Sequence, residues 1–384
     1  MQEPVNAFDF LDMLRQQNGK EIQRFDHVSR YLNMKAREKG IPVSFQFELT
    51  PLCNFSCKMC YVHLNADQLK GQKILPVDTW KSLMHQAWEA GMMTAALTGG
   101  ECLAYPGFDE LFLYLHSLGC QVSVLTNGFL LDDKRIQFFK EHLPCRIQVT
   151  LYGWNDDVYE RVTGQRAFNT VLANIRKAID AGLPISISVT PNSYLGEDVF
   201  ETVRVANGLS RIVTINDFIF PPREGTGRAE QQDDLETDMY IRIYRLMNDL
   251  TGKENREIAK EMLPPECGKE PDVQKCGLRC GGGRSGCVIT WDGIMVPCYQ
   301  LMMIRDYPLK VGVKKAWNTV NSEVMNWPVY SGCDGCAYAN VCNNKCAGNQ
   351  LRFAKPGEKP KELCEQTKQF ACNGVFKLPE LECD

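Results

Sequence analysis

The strongest constraint on this chain is a loop of three cysteines. Cys53, Cys57 and Cys60 are spaced C-x3-C-x2-C directly after the alternating apolar run from Val43 to Leu49. That alternation has the two-residue period of a strand, so the thiols sit on a loop just past a strand end. Three cysteines this close cannot all pair as disulfides. They suit three corners of a cuboidal iron–sulfur cluster, whose ligands are cysteine sulfurs. A [4Fe–4S] cluster held by three cysteines keeps one iron open to something other than protein. Zinc is the main competitor, but a structural zinc takes a second C-x2–4-C pair or two histidines. No H-x3–5-H follows, and His63 is the only histidine nearby.

From Val43 to about Phe220 strand-like and helix-like stretches alternate. Strands are predicted over 43–50, 93–98, 121–126, 146–151, 185–190 and 212–220, and helices over 77–90, 107–118, 131–142, 168–182 and 196–209. Such units argue for a parallel sheet with right-handed crossovers, curled into a partial (β/α)6 barrel. In these folds the site lies at the C-terminal ends of the strands. Each further motif falls there. The second strand runs into Gly99-Gly100-Glu101-Cys102; paired glycines let a ligand approach the backbone, and Glu101 can accept from an ammonium group. The third ends in the turn signal Leu125-Thr-Asn-Gly128. The fourth ends in Gln148-Val-Thr-Leu-Tyr-Gly153, with Arg161 eleven residues after Thr150. A guanidinium binds a carboxylate bidentately. Arg166 competes for that role, and the spacing favours Arg161. A strand-end cap and a surface salt bridge are the bland readings of Thr150 and Arg161.

The chain holds 18 cysteines in 384 residues, and most fall in the last third. There Cys280 precedes Gly293 and Cys298, followed by Cys333-x2-Cys336-x5-Cys342-x3-Cys346 and then Cys364. One four-cysteine zinc site would leave Cys280, Cys298 and Cys364 unexplained. The turn Asp292-Gly293 fits a hairpin between ligands. A charged helix is expected over about 234–252 and a linker over 253–278, which holds Pro264, Pro265 and Pro271. The domains expected are a helical lead-in over 1–42, a barrel over 43–255 and a cysteine-rich unit over 256–384.

The first loop resembles the signature of the radical S-adenosylmethionine (SAM) superfamily, CxxxCxxC after the first barrel strand. The C-terminal pattern resembles the SPASM domain, C-x9–15-G-x4-C…C-x2-C-x5-C-x3-C…C. The resemblance implies that Cys53, Cys57 and Cys60 hold a [4Fe–4S] cluster whose open iron is chelated by SAM. An electron from the cluster cleaves SAM to a 5′-deoxyadenosyl radical that abstracts a substrate hydrogen. It also places Met59, Tyr61, Gly99, Gly100, Glu101, Thr150 and Arg161 around SAM. Glu101 takes the amino group, Thr150 the ribose and Arg161 the carboxylate. Met59 stands where an aromatic is frequent, Cys102 where proline follows GGE, and Tyr152 where many relatives have aspartate. Two auxiliary [4Fe–4S] clusters are implied, making three. Cys280, Cys298 and Cys346 serve the first, with Cys276 as a fourth ligand, Cys267 or Cys287 as rivals, and an open iron that binds substrate as the other alternative. Cys333, Cys336, Cys342 and Cys364 serve the second.

By that resemblance the chain is a peptide maturase that forms a thioether or carbon–carbon crosslink in a ribosomally made precursor peptide or protein. It would draw electrons from a flavodoxin- or ferredoxin-type reductant. Anaerobic sulfatase maturation, which forms formylglycine, is one alternative. Epimerisation is another, with Cys102, Cys287 or Cys372 as hydrogen donor. An iron–sulfur electron carrier is the non-enzyme alternative, and the GGE, Thr150 and Arg161 set argues against it. Asp217 is a candidate base. The formal charge of −4 gives no reason to expect nucleic acid or an anionic membrane surface. No apolar run is long enough to span a membrane, and no secretory signal is recognisable, so a cytoplasmic location is expected.

Overall fold

The computed structural model describes residues 31–62, 64, 68–69, 73–216, 219, 235–251, 280–328, 330–333, 336–338, 342 and 346–375. The helical lead-in expected over 1–42 is described from residue 31 onward, as a helix over 31–39. Residues 1–30, the 220–228 segment and the 253–278 linker lie outside the described residues, as do Asp217, Cys267 and Cys276.

One sheet of 8 strands organises the chain, in the order β6-β5-β4-β3-β2-β1-β7-β8. β1 is Ser44–Glu48, β2 Thr94–Thr98, β3 Gln121–Thr126, β4 Arg146–Thr150, β5 Ile185–Val189 and β6 Val213–Ile215. These run parallel in sequence order, as the alternation of units predicts. Parallel pairing needs a crossover between neighbours, and helices supply it. They are α1 (Val77–Glu89), α2 (Phe108–Ser117), α3 (Asp133–Glu141), α4 (Asp156–Thr163), α5 (Phe168–Asp180) and α6 (Asp198–Leu209). In α5 the buried Phe168, Val171, Ile175 and Ala178 recur at three- and four-residue spacing, which makes one apolar face for the sheet. Trp80 of α1 is fully buried edge-on to Phe47 of β1, with centroids 6.0 Å apart.

Two features depart from the sequence reading. The first is α4, eight residues long and rich in charge, too short for its apolar spacing to mark it. Its ends carry the signal instead. The Asn155 side chain accepts from the Val158 N–H at 2.9 Å, and Gly164 closes the helix at φ 74°. The second is β7 (Gly286–Ile289), which lies in the segment assigned to the C-terminal unit yet pairs parallel with β1. β8 (Met295–Val296) turns back antiparallel to β7. α7 (Thr237–Thr251) lies between β6 and β7 in the chain, and α8 (Val313–Met325), α9 (Ala347–Phe353) and α10 (Lys361–Cys372) follow β8. Residues from β6 and β7 line the same cavity as β1, β3 and β4, so the sheet curls around a common interior.

Candidate active site

The interior is a cavity of about 840 Å³. On one side it meets Cys53, Cys57 and Cys60, and on another Cys280, Cys298 and Cys346.

The first cysteine loop is held from three directions. Ser56 and Lys58 donate their N–H groups to the carbonyls of Thr163 and Val162, at 2.9 and 3.0 Å, so the C-terminal end of α4 anchors it. Gly100 and Glu101 donate to the carbonyls of Thr50 and Leu52, at 2.6 and 2.8 Å. The Asn127 side chain donates to Asn54 Oδ1 at 2.8 Å and points its amide at Cys53 Sγ, 3.7 Å away. The Phe55 N–H lies 3.4 Å from the same sulfur. Hydrogen bonds onto ligand sulfurs are a recognised means of tuning an iron–sulfur cluster. Burial pushes the Cys53 thiol up to about 12, with the Glu101 carboxylate adding to the rise. A metal must displace that proton to bind. The donor set fits a cluster with three protein ligands, since all three sulfurs face one cavity.

Gly99 and Gly100 line the cavity, yet the reason for their lack of side chains is the neighbouring loop. Gly99 has φ +152°, and a Cβ there would lie 2.6 Å from the Thr50 carbonyl oxygen. A Cβ on Gly100 would lie 2.3 Å from that of Leu52. The glycines let the two loops clamp together. Glu101 is fully buried and does not line the cavity. Its Oε1 accepts from the Leu103 N–H at 3.0 Å and the Thr126 hydroxyl at 2.8 Å, and its Oε2 from the Asn127 N–H at 2.8 Å. Burial raises its pKa, and these donors oppose the rise.

Thr150, Met59 and Tyr61 line the cavity. Arg161 does not. It donates to the Tyr194 carbonyl at 2.8 Å and pairs with Asp198, which also accepts from Trp154 Nε1 at 2.8 Å. Arg166 pairs with Asp157 and Glu160 at 2.6 and 2.9 Å on the exposed surface. Of the suggested hydrogen donors, Cys102 is buried outside the cavity with its thiol 3.2 Å from the Leu125 carbonyl, Cys372 is disulfide-bonded, and Cys287 lines the cavity. A disulfide sulfur has no S–H to give, which removes Cys372 from that role.

The C-terminal cysteines fall into two groups. Burial pushes Cys298 up to about 12, and its neighbours Cys280 and Cys346 add to the rise. Cys346 also points its thiol at Gln300 Oε1, 3.3 Å away. Cys364 is raised by burial and then by Cys342, Cys333 and Cys336. Cys280, Cys298 and Cys346 line one cavity, while Cys333, Cys336 and Cys342 act on Cys364. Among the described residues no three Cys, His, Asp or Glu side chains converge tightly enough for a single metal ion. Sequence reasoning missed Arg37, Tyr299 and Gln300, which all line the cavity. Only the positions of Tyr299 and Gln300 just after Cys298 could have signalled them. No helix among the described residues is long and apolar enough to cross a membrane.

Residues 47–206 match the model of the radical SAM superfamily. The chain is similar to the AdoMet-dependent heme synthase of Methanosarcina barkeri, 25% identical over 78% of this chain and 90% of the relative. It is similar to the antilisterial bacteriocin subtilosin biosynthesis protein AlbA of Bacillus subtilis, 26% identical over 76% of this chain but only 62% of AlbA. In fold it resembles Streptococcus suis SuiB bound to its precursor peptide SuiA, with a TM-score of 0.64 and 16% identity over 95% of this chain and 83% of SuiB.

Proposed function

We propose that the chain is a peptide maturase built on the radical SAM domain that residues 47–206 match. It forms a thioether or carbon–carbon crosslink in a ribosomally made precursor peptide. The observation that carries this reading is the single cavity shared by two cysteine groups, one on the barrel loop and one on the C-terminal unit. Crosslinking removes two electrons from a peptide: one leaves with the abstracted hydrogen atom, and a second redox centre near the first gives the other an exit route. SuiB, bound to its precursor peptide, shares the fold over most of the chain.

In this reading residues 43–255 form the barrel and 256–384 the auxiliary unit. Cys53, Cys57 and Cys60 hold a [4Fe–4S] cluster that, with SAM, supplies hydrogen-abstracting chemistry. Met59, Tyr61, Gly99, Gly100 and Thr150 bind and orient SAM, with Glu101 and Arg161 behind them. Cys280, Cys298 and Cys346, joined by Cys276, hold one auxiliary cluster, and Cys333, Cys336, Cys342 and Cys364 another. A flavodoxin- or ferredoxin-type protein delivers electrons, and the work is done in the cytoplasm. Asn127 orients Cys53 through its side-chain amide. Tyr61 and Tyr299 close the wall between the two cysteine groups and limit water entry there.

Cys287 favours epimerisation as a second reading. It is buried in the cavity wall, and burial raises its pKa. A thiol kept protonated can return a hydrogen atom to a substrate carbon.

The experiment is anaerobic reconstitution with a precursor peptide encoded beside the gene, followed by mass spectrometry. A loss of two hydrogens supports crosslinking. An unchanged mass in water, with one deuterium gained in D2O, supports epimerisation. Inert peptides together with turnover of a tetrapyrrole would move the reading to the chemistry named in the heme synthase relative.

A further inference from the structure

One arginine lines the cavity on the side of Cys280, and a second is buried in the turn that follows that cysteine. Arg37 comes from the helix over 31–39 and lines the cavity. Arg284 comes from the turn Gly281-Gly-Gly-Arg-Ser285 that follows Cys280, and is only 9% exposed. That turn is tight, for the N–H groups of Arg284, Ser285 and Gly286 all donate to the Gly281 carbonyl, at 3.0, 2.9 and 3.0 Å. It is also fixed from outside, because Gly283 sits at φ +71° and a Cβ there would meet Val324 at 2.4 Å. The Arg37 guanidinium lies on the bare face of Gly281. A Cβ on Gly281 would be 3.4 Å from Arg37 Nη2 and 3.5 Å from Nε.

Arg37 Nε is buried with no hydrogen-bond partner. Among the described residues Arg37 makes no ion pair with a carboxylate, and no Asp or Glu lines the cavity. The charged groups that act on Arg37 are Cys280 and Arg284. A buried cation beside a second cation is costly unless an anion faces it. Cys280 is the anionic group that acts on Arg37 among the described residues, and it feels both arginines. A cluster held by cysteines is bound through thiolates, and these outnumber the positive charge of its core.

We propose that Arg37 and Arg284 form a cationic wall behind the cluster held by Cys280, Cys298 and Cys346, and that this wall raises its reduction potential. The proposal rests on the reading of those cysteines as cluster ligands. Reduction adds one negative charge to the cluster. A guanidinium nearby, in a poorly solvated site, favours that state over the oxidised one. Both arginines are positioning residues, since they act on the potential of the cluster and leave the substrate untouched. The effect makes this cluster the better acceptor for an electron released when a substrate bond forms.

The test is an EPR-monitored redox titration of the anaerobically loaded full chain, with iron counted in each sample. Arg37→Gln and Arg284→Gln are compared with Arg37→Lys, which keeps the charge. Each Gln variant should lower the reduction equilibrium constant of one cluster about tenfold, a fall of about 59 mV for a one-electron couple. Arg37→Lys should stay close to wild type, and the other clusters should not move. Loss of the auxiliary iron in Arg37→Gln but not in Arg37→Lys also supports the proposal. Unchanged potentials at full iron content overturn it, and a raised substrate KM alongside them would assign the arginines to substrate binding. An equal fall in every cluster overturns it too. Wild-type protein with a single cluster signal instead overturns the underlying ligand reading, and the iron count separates that outcome from the others.

Discussion

Tyr61 and Tyr299 meet ring to ring, with centroids 4.9 Å apart and planes tilted by 53°. Each follows a cavity cysteine by one residue, Tyr61 after Cys60 and Tyr299 after Cys298. The contact couples the barrel loop to the C-terminal unit. Replacing both by leucine, singly and together, should reveal a coupling of about 1 kcal/mol in unfolding stability. Tyr299→Leu should also uncouple turnover, with SAM still cleaved but less peptide modified per SAM consumed. A ratio of product to cleaved SAM that stays at the wild-type value would count against the contact as a functional wall.

Replacing Cys53, Cys57 and Cys60 by alanine should abolish reductive SAM cleavage and remove about four of roughly twelve irons. Iron assays and 5′-deoxyadenosine chromatography check this. Cleavage that survives the triple substitution would move the radical chemistry elsewhere.

Gly100→Ala should be more damaging than its size suggests. The new Cβ would lie 2.3 Å from the Leu52 carbonyl oxygen, and backbone cannot swing aside as a side-chain tip can. A loss of about 1–3 kcal/mol is expected. SAM affinity should fall with it, because the clamp between residues 50–52 and 99–101 sets the position of the first cysteine. Thermal denaturation and equilibrium SAM binding measure the two effects.

Arg161 pairs with Asp198, whereas the family resemblance gives it the SAM carboxylate. If it serves both, Asp198→Asn frees it. SAM should then bind tighter by a factor of no more than about five, since an exposed ion pair is worth up to ~1 kcal/mol. Isothermal titration of the loaded enzyme decides. Unchanged affinity would assign Arg161 to the join between α4 and the start of α6.

Glu101 carries a pH signature. Burial holds its pKa above the unfolded carboxylate value, so the folded state binds this proton more tightly than the unfolded one. Its contribution to stability is therefore greatest below the ordinary carboxylate range. It is lost as pH rises from that range through the raised folded value. Glu101→Gln removes the titration, so the stability of wild type relative to the variant should fall as pH rises through that window. Denaturant midpoints measured across it give the comparison, and a difference that does not change with pH would show that the carboxylate is not strained by burial.

Much of the fold was legible because its signals are local. The spacing of Val171, Ile175 and Ala178 marks a helix face, and the run Ile185 to Val189 marks a buried strand. Helix α4 escaped because it is only eight residues long, so its apolar positions Val158, Tyr159 and Val162 span barely one turn, and Asn155 and Gly164 mark its ends. In the site, the cysteine spacings were legible as ligand patterns. Gly99 and Gly100 were legible as a motif, but the reason they are glycine involves the backbone of residues 50–52 and needs the folded chain. Arg37 could not be read at all. It is one basic residue in a polar helix, and its meaning comes from a turn far along the chain.

The pairing of β7 with β1 bears on how this protein is made. A ribosome that has finished β6 has produced six strands, but the β1 side of the sheet is still a bare edge. Synthesis takes on the order of ten seconds to reach β7 from there. During that interval the first cysteine loop sits beside an unsealed edge, open to misplaced strands and to oxidants. The residues that cover it belong to the same turn and hairpin that carry Cys280 and Cys298. The order of the strands thus makes this edge the last part of the sheet to be sealed.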